Sequence, residues 1–424
     1  MDIKAPRGTY DILPDQAHKW HYVEKCAHKT AALYGYREIR TPVFEQTELF
    51  VRGIGEYTDI VKKEMYVFKD KKGRSMTLRP EGTATVVRAC LEHNLAQSSL
   101  TKLYYIGPFM RYERPQAGRY RQFHQFGFEA LGSRLPSLDA EIIQATFDFF
   151  ISLGLKDLQV EINSLGCREC RPAYKEALVT FFNGKAEELC SECNNRLTQN
   201  PLRILDCKSK NCREISHVAP SIFGYLCGEC KSHFTKLQEY LESVKLPFSI
   251  NPLIVRGLDY YTKTVFEIIS NELGSQDALC GGGRYDQLAE EIGGKSIPAV
   301  GVAIGLERSI SILEKRGIVI PTDADLDVYL VALGDESDLV VHSLQKDLRD
   351  SGFRVERDYI GKGLKNQMKD AHRSNAKLAA IVGADELKSK SVTLKDMKTG
   401  EQKMHPVKSV IEIVKKRLEG GSWS

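Results

Sequence analysis

The run GPFMRYERPQAGRYRQFHQFGFEALG, residues Gly107–Gly132, decides the fold. It reads as two extended segments joined by a basic turn centred on Pro115–Gly118, hence a long antiparallel hairpin. Side chains alternate along a strand, so Arg121, Phe123, Gln125, Gly127 and Glu129 share one face. His124, Phe126, Phe128 and Ala130 share the other, which is mostly apolar and is expected to pack on a core. The first face sets a Gln and a Glu on either side of a glycine that leaves room between them. Such a face is either the solvated side of a sheet or the floor for a small polar ligand, with the arginine-rich turn reaching toward phosphate.

Outward from the hairpin, the flanks supply more polar groups. Upstream, a strand stops at Pro80 and a helix continues over Thr85–His93, which puts Glu81 and Thr83 at a strand-to-helix junction. Backbone donors and side chains can converge on a ligand there, although the same two residues also suit a plain helix cap. Earlier still, His18–Tyr34 has helical spacing, Tyr36–Pro42 reads as a short strand ending at proline, and Glu45–Phe50 starts a helix. Met65–Phe68 and Ser75–Leu78 bracket a charged turn, Lys69–Arg74. Downstream, Asp139–Gly154 reads as an amphipathic helix and Leu158–Leu165 as a strand.

There the composition changes. Eight of the eleven cysteines fall between Cys167 and Cys230, in the pairs Cys167/Cys170, Cys190/Cys193, Cys207/Cys212 and Cys227/Cys230. Each pair can form half of a tetrahedral thiolate site, so two structural zinc sites of four cysteines would use all eight. The short loop between them favours Cys190, Cys193, Cys207 and Cys212 for one site, with Cys167, Cys170, Cys227 and Cys230 closing the base. A crossed pairing fits the spacing too. The segment is expected to be a small domain inserted in a larger one.

The core then resumes. Arg256, Asp259, Tyr260 and Tyr261 crowd the turn before a strand at Val265–Ile269, and a loop is expected at Gly274–Gln276. Gly281, Gly282 and Gly283 follow, where the backbone can approach a ligand closely or simply turn. Ala299–Arg308 is expected to enter a helix through Gly301 and Gly305, with Arg308 suited to an anion. Ile318–Asp325 reads as a linker. Beyond it, Asp327–Leu333, Asp338–Ser351, Phe353–Arg357, Leu364–Ser374 and Lys377–Val382 alternate strand and helix, as in an α/β domain. Ser391–Lys395 and Glu401–His405 flank a turn, and Val407–Leu418 closes with a helix. Dense basic residues here, among them Lys362, Lys365 and Arg373, suit either a solvated surface or an RNA-contacting face.

Length and composition bound these readings. A chain of 424 residues is too long for one ordinary core. Its 42% hydrophobic and 27% charged content is that of a soluble globular protein. No apolar run is long enough to span a bilayer, and Met1–Pro14 lacks a signal-peptide core. Lys and Arg exceed Asp and Glu by 60 to 56, which permits a nucleic-acid partner without arguing for one. Cysteines without a secretory signal point to a reducing compartment, expected to be the cytoplasm.

Taken together, these stretches resemble histidyl-tRNA synthetase, a class II aminoacyl-tRNA synthetase, over essentially the whole chain. Arg7–Pro14 resembles the family's amino-terminal signature, and Gly35–Pro42 the first class II motif, whose strand supports a homodimer interface. Phe109–Glu113 with Gly127–Glu129 resembles the second motif, and Gly301–Arg308 the third. Arg256–Tyr261 (RGLDYY) and Cys280–Tyr285 (CGGGRY) resemble the histidine-specific signatures. The cysteine pairs depart from the family, many members of which lack most of them, so zinc is inferred from spacing.

The resemblance implies an α+β fold: an antiparallel-sheet catalytic core (1–166 and 249–320), a Cys-rich insertion (167–248) and a carboxy-terminal α/β anticodon-binding domain (325–424). It also implies activation of L-histidine with ATP and Mg²⁺, then transfer to tRNA(His). Arg111 would hold the α-phosphate, Arg308 the triphosphate, and Arg256 would be the catalytic arginine; Glu113 would join the ATP site. Glu129 and Tyr261 would contact the imidazole, and Glu81, Thr83 and Gln125 the α-amino group. Tyr260, Tyr285 and Gly281–Gly283 would line the pocket, and Arg114 and Gln116 would approach the tRNA acceptor end. Two rivals are a synthetase-like regulatory paralogue of the histidine pathway and a zinc-dependent nucleic-acid-binding protein without catalysis. The first should lack the histidine signatures, and the second leaves the core arginines and glutamates unexplained.

Overall fold

The structure is a computed structural model that describes residues 3–96, 99–116, 118–270, 278–321 and 326–420. The expected loop Gly274–Gln276 lies outside the described residues, as do Ala117 of the hairpin turn and 322–325 of the linker. The chain forms two compact units, Met1–Val319 and Ile320–Ser424.

In the first unit, helix α1 (Pro14–Leu33) starts on a proline, whose fixed φ and missing N–H cost nothing in a first turn. Strands β1 (Arg37–Glu38) and β2 (Phe44–Gln46) follow, then α2 (Thr47–Ile54), β3 (Val67–Lys69), β4 (Ser75–Leu78) and α3 (Thr83–Glu92). The hairpin is β5 (Thr101–Met110) and β6 (Gln122–Leu131), paired antiparallel from Thr101↔Leu131 to Met110↔Gln122. Helix α4 (Pro136–Ser152) and β7 (Gln159–Ser164) lead to a helical segment: α5 (Arg171–Asn183), α6 (Ser191–Gln199), α7 (Lys210–His217) and α8 (Gly228–Ser243). The sheet is completed by β8 (Phe248–Ile250), β9 (Thr262–Ile269), β10 (Ala278–Arg284) and β11 (Ala299–Gly305), between which lies α9 (Leu288–Glu291) and after which comes α10 (Leu306–Lys315).

The main sheet has the order β1-β5-β6-β11-β10-β9-β7-β8. Its two outer pairs, β1 with β5 and β7 with β8, are parallel, and the six central strands pair antiparallel. A small antiparallel sheet, β2-β4-β3, stands beside it. The apolar hairpin face packs as expected: Phe126 and Phe128 are fully buried, and Phe126 meets Phe149 of α4 at 5.1 Å between ring centroids. The polar face runs from half-buried Arg121, Phe123 and Gln125 to buried Gly127 and fully enclosed Glu129.

Two expectations shift. The glycine run Gly281–Gly283 is the middle of strand β10, not a turn, because its neighbours β9 and β11 pair with it on both sides. Gly301 likewise lies in β11, so the helix begins only at Leu306.

Strand β10 ends in a fully buried charge. Arg284 is fully buried and ion-pairs with the equally buried Asp139 of α4. It also donates to Ser133 O at 2.8 Å and to Asp286 Oδ1 at 3.0 Å, while Thr264 donates to Asp139 at 2.6 Å. Full hydrogen bonding makes a buried charge tolerable.

The second unit has the sheet order β13-β12-β14-β15-β16, with β12 (Val328–Ala332) parallel to β13 (Val355–Arg357) and β14 (Leu378–Val382). Helices α11 (Asp335–Asp350) and α12 (Leu364–Arg373) connect these three, as the alternation implied. A short helix, α13 (Ala384–Ser389), precedes the antiparallel pair β15 (Ser391–Asp396) and β16 (Gln402–Pro406), and α14 (Val410–Leu418) closes the unit.

Replacing Arg284 by Ala strands the Asp139 carboxylate in the core. The expected loss is about 3–5 kcal/mol, read as earlier unfolding of this unit in a urea titration.

Candidate active site

Glu129 is the centre of the polar floor. Thr83 Oγ1 donates to its Oε1 at 2.7 Å, and the Tyr285 hydroxyl donates to its Oε2. Its carboxylate fits only because β11 opposes it with glycine: in the register Glu129↔Gly301, a Cβ on Gly301 would overlap Oε2. Burial is the main cause that pushes the Glu129 carboxyl up to about 8, with the nearby Glu81 charge adding and the bonds from Tyr285 and Thr83 opposing.

Glu81 serves as cap and as site residue together. It accepts from the backbone N–H groups of Thr83 (2.7 Å) and Ala84 (2.9 Å), which satisfies the first turn of α3. Its Oε2 also faces the Tyr260 hydroxyl at 3.5 Å, and Oε1 retains a second lone pair. Tyr260 packs between Tyr261 and Tyr285, with ring centroids 4.7 and 5.7 Å away. Burial pushes Tyr261 up to about 12; the Arg256 charge pulls it down and the Glu129 charge pushes it up, so Tyr261 feels both.

Arg256 ion-pairs with Glu267 of β9. Its guanidinium occupies the space above Gly281, where a Cβ would overlap it. Gly283 lies on the same face against Tyr261, whereas Gly282 turns to the other face, against Phe266. Arg111, one residue past β5, donates from Nε to Pro80 O at 2.8 Å and lies 3.7 Å from Glu113. Glu113 accepts from Arg119 at 3.2 Å. Arg308 sits in the first turn of α10 and donates to Ala278 O at 2.6 Å. Arg114 and Gln116 are exposed in the hairpin loop, where Gln116 bridges to Arg119.

Several side chains here were not singled out from sequence. The room above Gly127 is filled by the Tyr105 ring from the paired strand, so the space expected between Gln125 and Glu129 is taken by an aromatic side chain. Glu307 accepts from the His124 backbone N–H at 2.9 Å and lies 3.0 Å from its Nδ1, which fixes the start of α10 against β6. Glu267 supplies the counter-charge to Arg256. Only strand register could have pointed to Tyr105 and Glu267. Three buried polar atoms on this floor, Gln125 Oε1, Tyr105 Oη and Arg256 Nε, have no hydrogen-bond partner. Buried polar groups are normally paired, so these mark where a polar ligand would bind.

The eight cysteines gather in two groups, Cys167, Cys170, Cys227 and Cys230, and Cys190, Cys193, Cys207 and Cys212, each with its sulfurs within 4.8 Å of one another. Sulfur separations of 3.6 Å (Cys167–Cys170), 3.9 Å (Cys167–Cys227) and 3.8 Å (Cys190–Cys207) fit a tetrahedron around one ion. Zn–S bonds of about 2.3 Å place thiolates about 3.8 Å apart. Backbone N–H groups of Cys190 and Cys227 donate to the sulfurs of Cys212 (3.3 Å) and Cys170 (3.1 Å), which favours thiolate charge. The residues fit a metal, and the grouping is the one that loop length favoured.

Comparison with known proteins agrees with this geometry. A sequence model described as histidyl-tRNA synthetase matches residues 8–308, and one described as anticodon binding domain matches 327–417. The apo histidyl-tRNA synthetase of S. aureus superposes with a TM-score of 0.82 at 40% identity, covering 98% of this chain and 100% of that one. The sheet and the carboxy-terminal unit are thus those of a class II aminoacyl-tRNA synthetase. The histidine–tRNA ligase of Halothermothrix orenii is 53% identical over 98% of this chain and all of the relative, and that of Clostridioides difficile 51% identical over 99% and 100%. The chain belongs to the histidyl-tRNA synthetase family, as an enzyme of the histidine–tRNA ligase class, and the regulatory-paralogue alternative is not favoured.

The raised Glu129 carboxyl predicts a pH dependence of the ligand-free protein. Its ordinary value is 4.5, so between 4.5 and about 8 the folded chain keeps a proton that the unfolded chain has released. This contribution to stability is complete below 4.5 and is lost as pH rises through about 8. Glu129→Gln should weaken the decline in melting temperature between pH 5 and pH 8.5.

Proposed function

We propose that the protein joins L-histidine to tRNA(His) in two steps and that the floor centred on Glu129 and Arg256 performs the first. The observation that carries this is that the fully buried Glu129 carboxyl on β6 and the half-buried Arg256 guanidinium over Gly281 of β10 both act on Tyr261, with unpartnered polar atoms on the same floor. Neutral histidine offers one ring donor and one ring acceptor. Glu129 accepts from the ring N–H and Tyr261 meets the other nitrogen, while Tyr260 and Tyr285 line the pocket against the wall of Gly281–Gly283. The α-amino group is met by Glu81, Thr83 and Gln125. A ligand lacking the ring nitrogens would strand these buried groups, which supports rejection by about 10⁴ without editing.

In the reaction, an oxygen of the histidine carboxylate forms a bond to the α-phosphorus of ATP as the bond to the β-phosphate oxygen breaks. Pyrophosphate leaves and histidyl-adenylate remains. Two anions must approach, so fixed cations aimed at the developing charge lower the barrier. Arg256 and Arg111 hold the α-phosphate, Arg308 the triphosphate tail, and Glu113 joins them in the ATP site. Mg²⁺ arrives on the phosphates of ATP. Arg stays charged and forks onto two oxygens, as this role requires. In the second step the acyl group passes to the tRNA 3′ end, releasing AMP; exposed Arg114 and Gln116 approach the acceptor end, and the carboxy-terminal unit reads the anticodon.

A homodimer is supported by the exposed apolar residues Val43, Phe44, Val67 and Phe68 around the small sheet. Structural zinc in both cysteine groups is supported by their sulfur spacing; there it would tie together the insertion, 167–248, without entering the chemistry. Thiolate metal sites suit work in the cytoplasm. Among the described residues, no helix is long and apolar enough to cross a membrane.

Histidine-dependent ATP–pyrophosphate exchange tests the reading. Arg256→Ala should lower exchange by a factor on the order of 10² or more in a protein that still folds; exchange at the wild-type rate removes the role. Metal analysis should find two zinc ions per chain, and Cys190→Ser with Cys193→Ser should remove one of them.

A further inference from the structure

Cys193 and Cys207 bracket a stretch that ends α6 and runs through the short turn Pro201–Ile204. From it, side chains reach the loop that carries Arg256, Tyr260 and Tyr261. Asn200 Nδ2 donates to Asp259 Oδ1 at 2.8 Å. Arg203 lies 3.4 Å from where a Cβ on Gly257 would stand. Arg196 and Arg203 both pair with Asp59, at 3.6 and 3.8 Å, just after the Gly55 backbone on which the Asp259 side chain rests. The opposite side of the loop is held by Asn163, which donates to Pro252 O (3.1 Å) and Ile254 O (3.0 Å).

Residues 251–261 form neither helix nor strand, so no ladder sets their conformation. Such a loop takes its shape from the side-chain and backbone ties at its two ends. The Asn200 amide donates into this solvent-facing bond, while its Oδ1 is buried without a partner.

We propose that Asn200 is a positioning residue for histidine activation. Acting through Asp259, it fixes the loop that presents Arg256, Tyr260 and Tyr261, and so makes the second cysteine group a determinant of histidine affinity. The inference rests on the roles given above to those three residues.

In ATP–pyrophosphate exchange, Asn200→Ala should raise the KM for histidine on the order of tenfold, with the melting temperature and the metal content unchanged. Asn200→Asp, which sets carboxylate against carboxylate, should raise it further. The double variant with Asp259→Ala should be no worse than Asp259→Ala alone, because the two side chains act as one unit. An unchanged histidine KM in Asn200→Ala overturns the proposal. So does a rise in both KM values accompanied by loss of metal, which would make Asn200 merely structural. Arg256→Ala in the same assay separates the two readings. If its exchange is normal, the loop's catalytic role fails; if exchange is lost there while Asn200→Ala is silent, only the positioning role fails.

Discussion

Glu129 is buried on the main sheet, and the Arg256 guanidinium is held over it, because the neighbouring strands offer glycine where any other residue would place a carbon. A Cβ on Gly301 would take the position of the Glu129 carboxylate, and one on Gly281 that of the Arg256 guanidinium. Burying a carboxyl or a guanidinium is costly unless hydrogen bonds replace its water. Thr83 and Tyr285 do this for Glu129, and Glu267 does it for Arg256. The positions of α3, the 251–261 loop and the hairpin all follow from bringing those partners into range.

Glycine gives strand β10 space at the expense of order, since a glycine run loses more freedom on folding than any other. Anchors at its end compensate. Arg284 is locked to Asp139 in the core, and the next residue, Tyr285, puts its hydroxyl on Glu129. The strand that could most easily have been mobile is therefore pinned one residue from the site, by an ion pair that makes no contact with the proposed ligand groups.

The helical segment 171–243 is built onto the sheet through a shared apolar core. Leu178, Phe182, Leu202 and Ile204 belong to the same buried cluster as Tyr105, Val86 and Tyr260. Two groups of four sulfurs stand at its joints. Lys263 of β9 meets Glu229 of α8 at 2.6 Å, and His233 of α8 lies 3.5 Å from Asp139. Each cysteine group thus lies near a tie to the elements that carry the site.

Much was legible along the chain because its cause is local. Alternation in Gln122–Leu131, the helical spacing within α1 and α4, the strand–helix alternation after residue 327 and the paired cysteines all act through neighbours within a few residues. The residue types of the site were legible as well, through motifs. For Gly281–Gly283 the sequence left close approach and a simple turn open, and only pairing with β9 and β11 excludes the turn. Tyr105 over Gly127, Glu267 beside Arg256, Asp139 against Arg284 and Asn200 against Asp259 join positions that are 11 to 145 residues apart or face each other across strands. The sequence by itself determined most of the strands and helices, though not the glycine-rich ones, and which chemical groups are present, since backbone preference and hydrophobic period are local. The tertiary structure alone decided which glycine yields to which charge, because register, not composition, sets the atoms that meet.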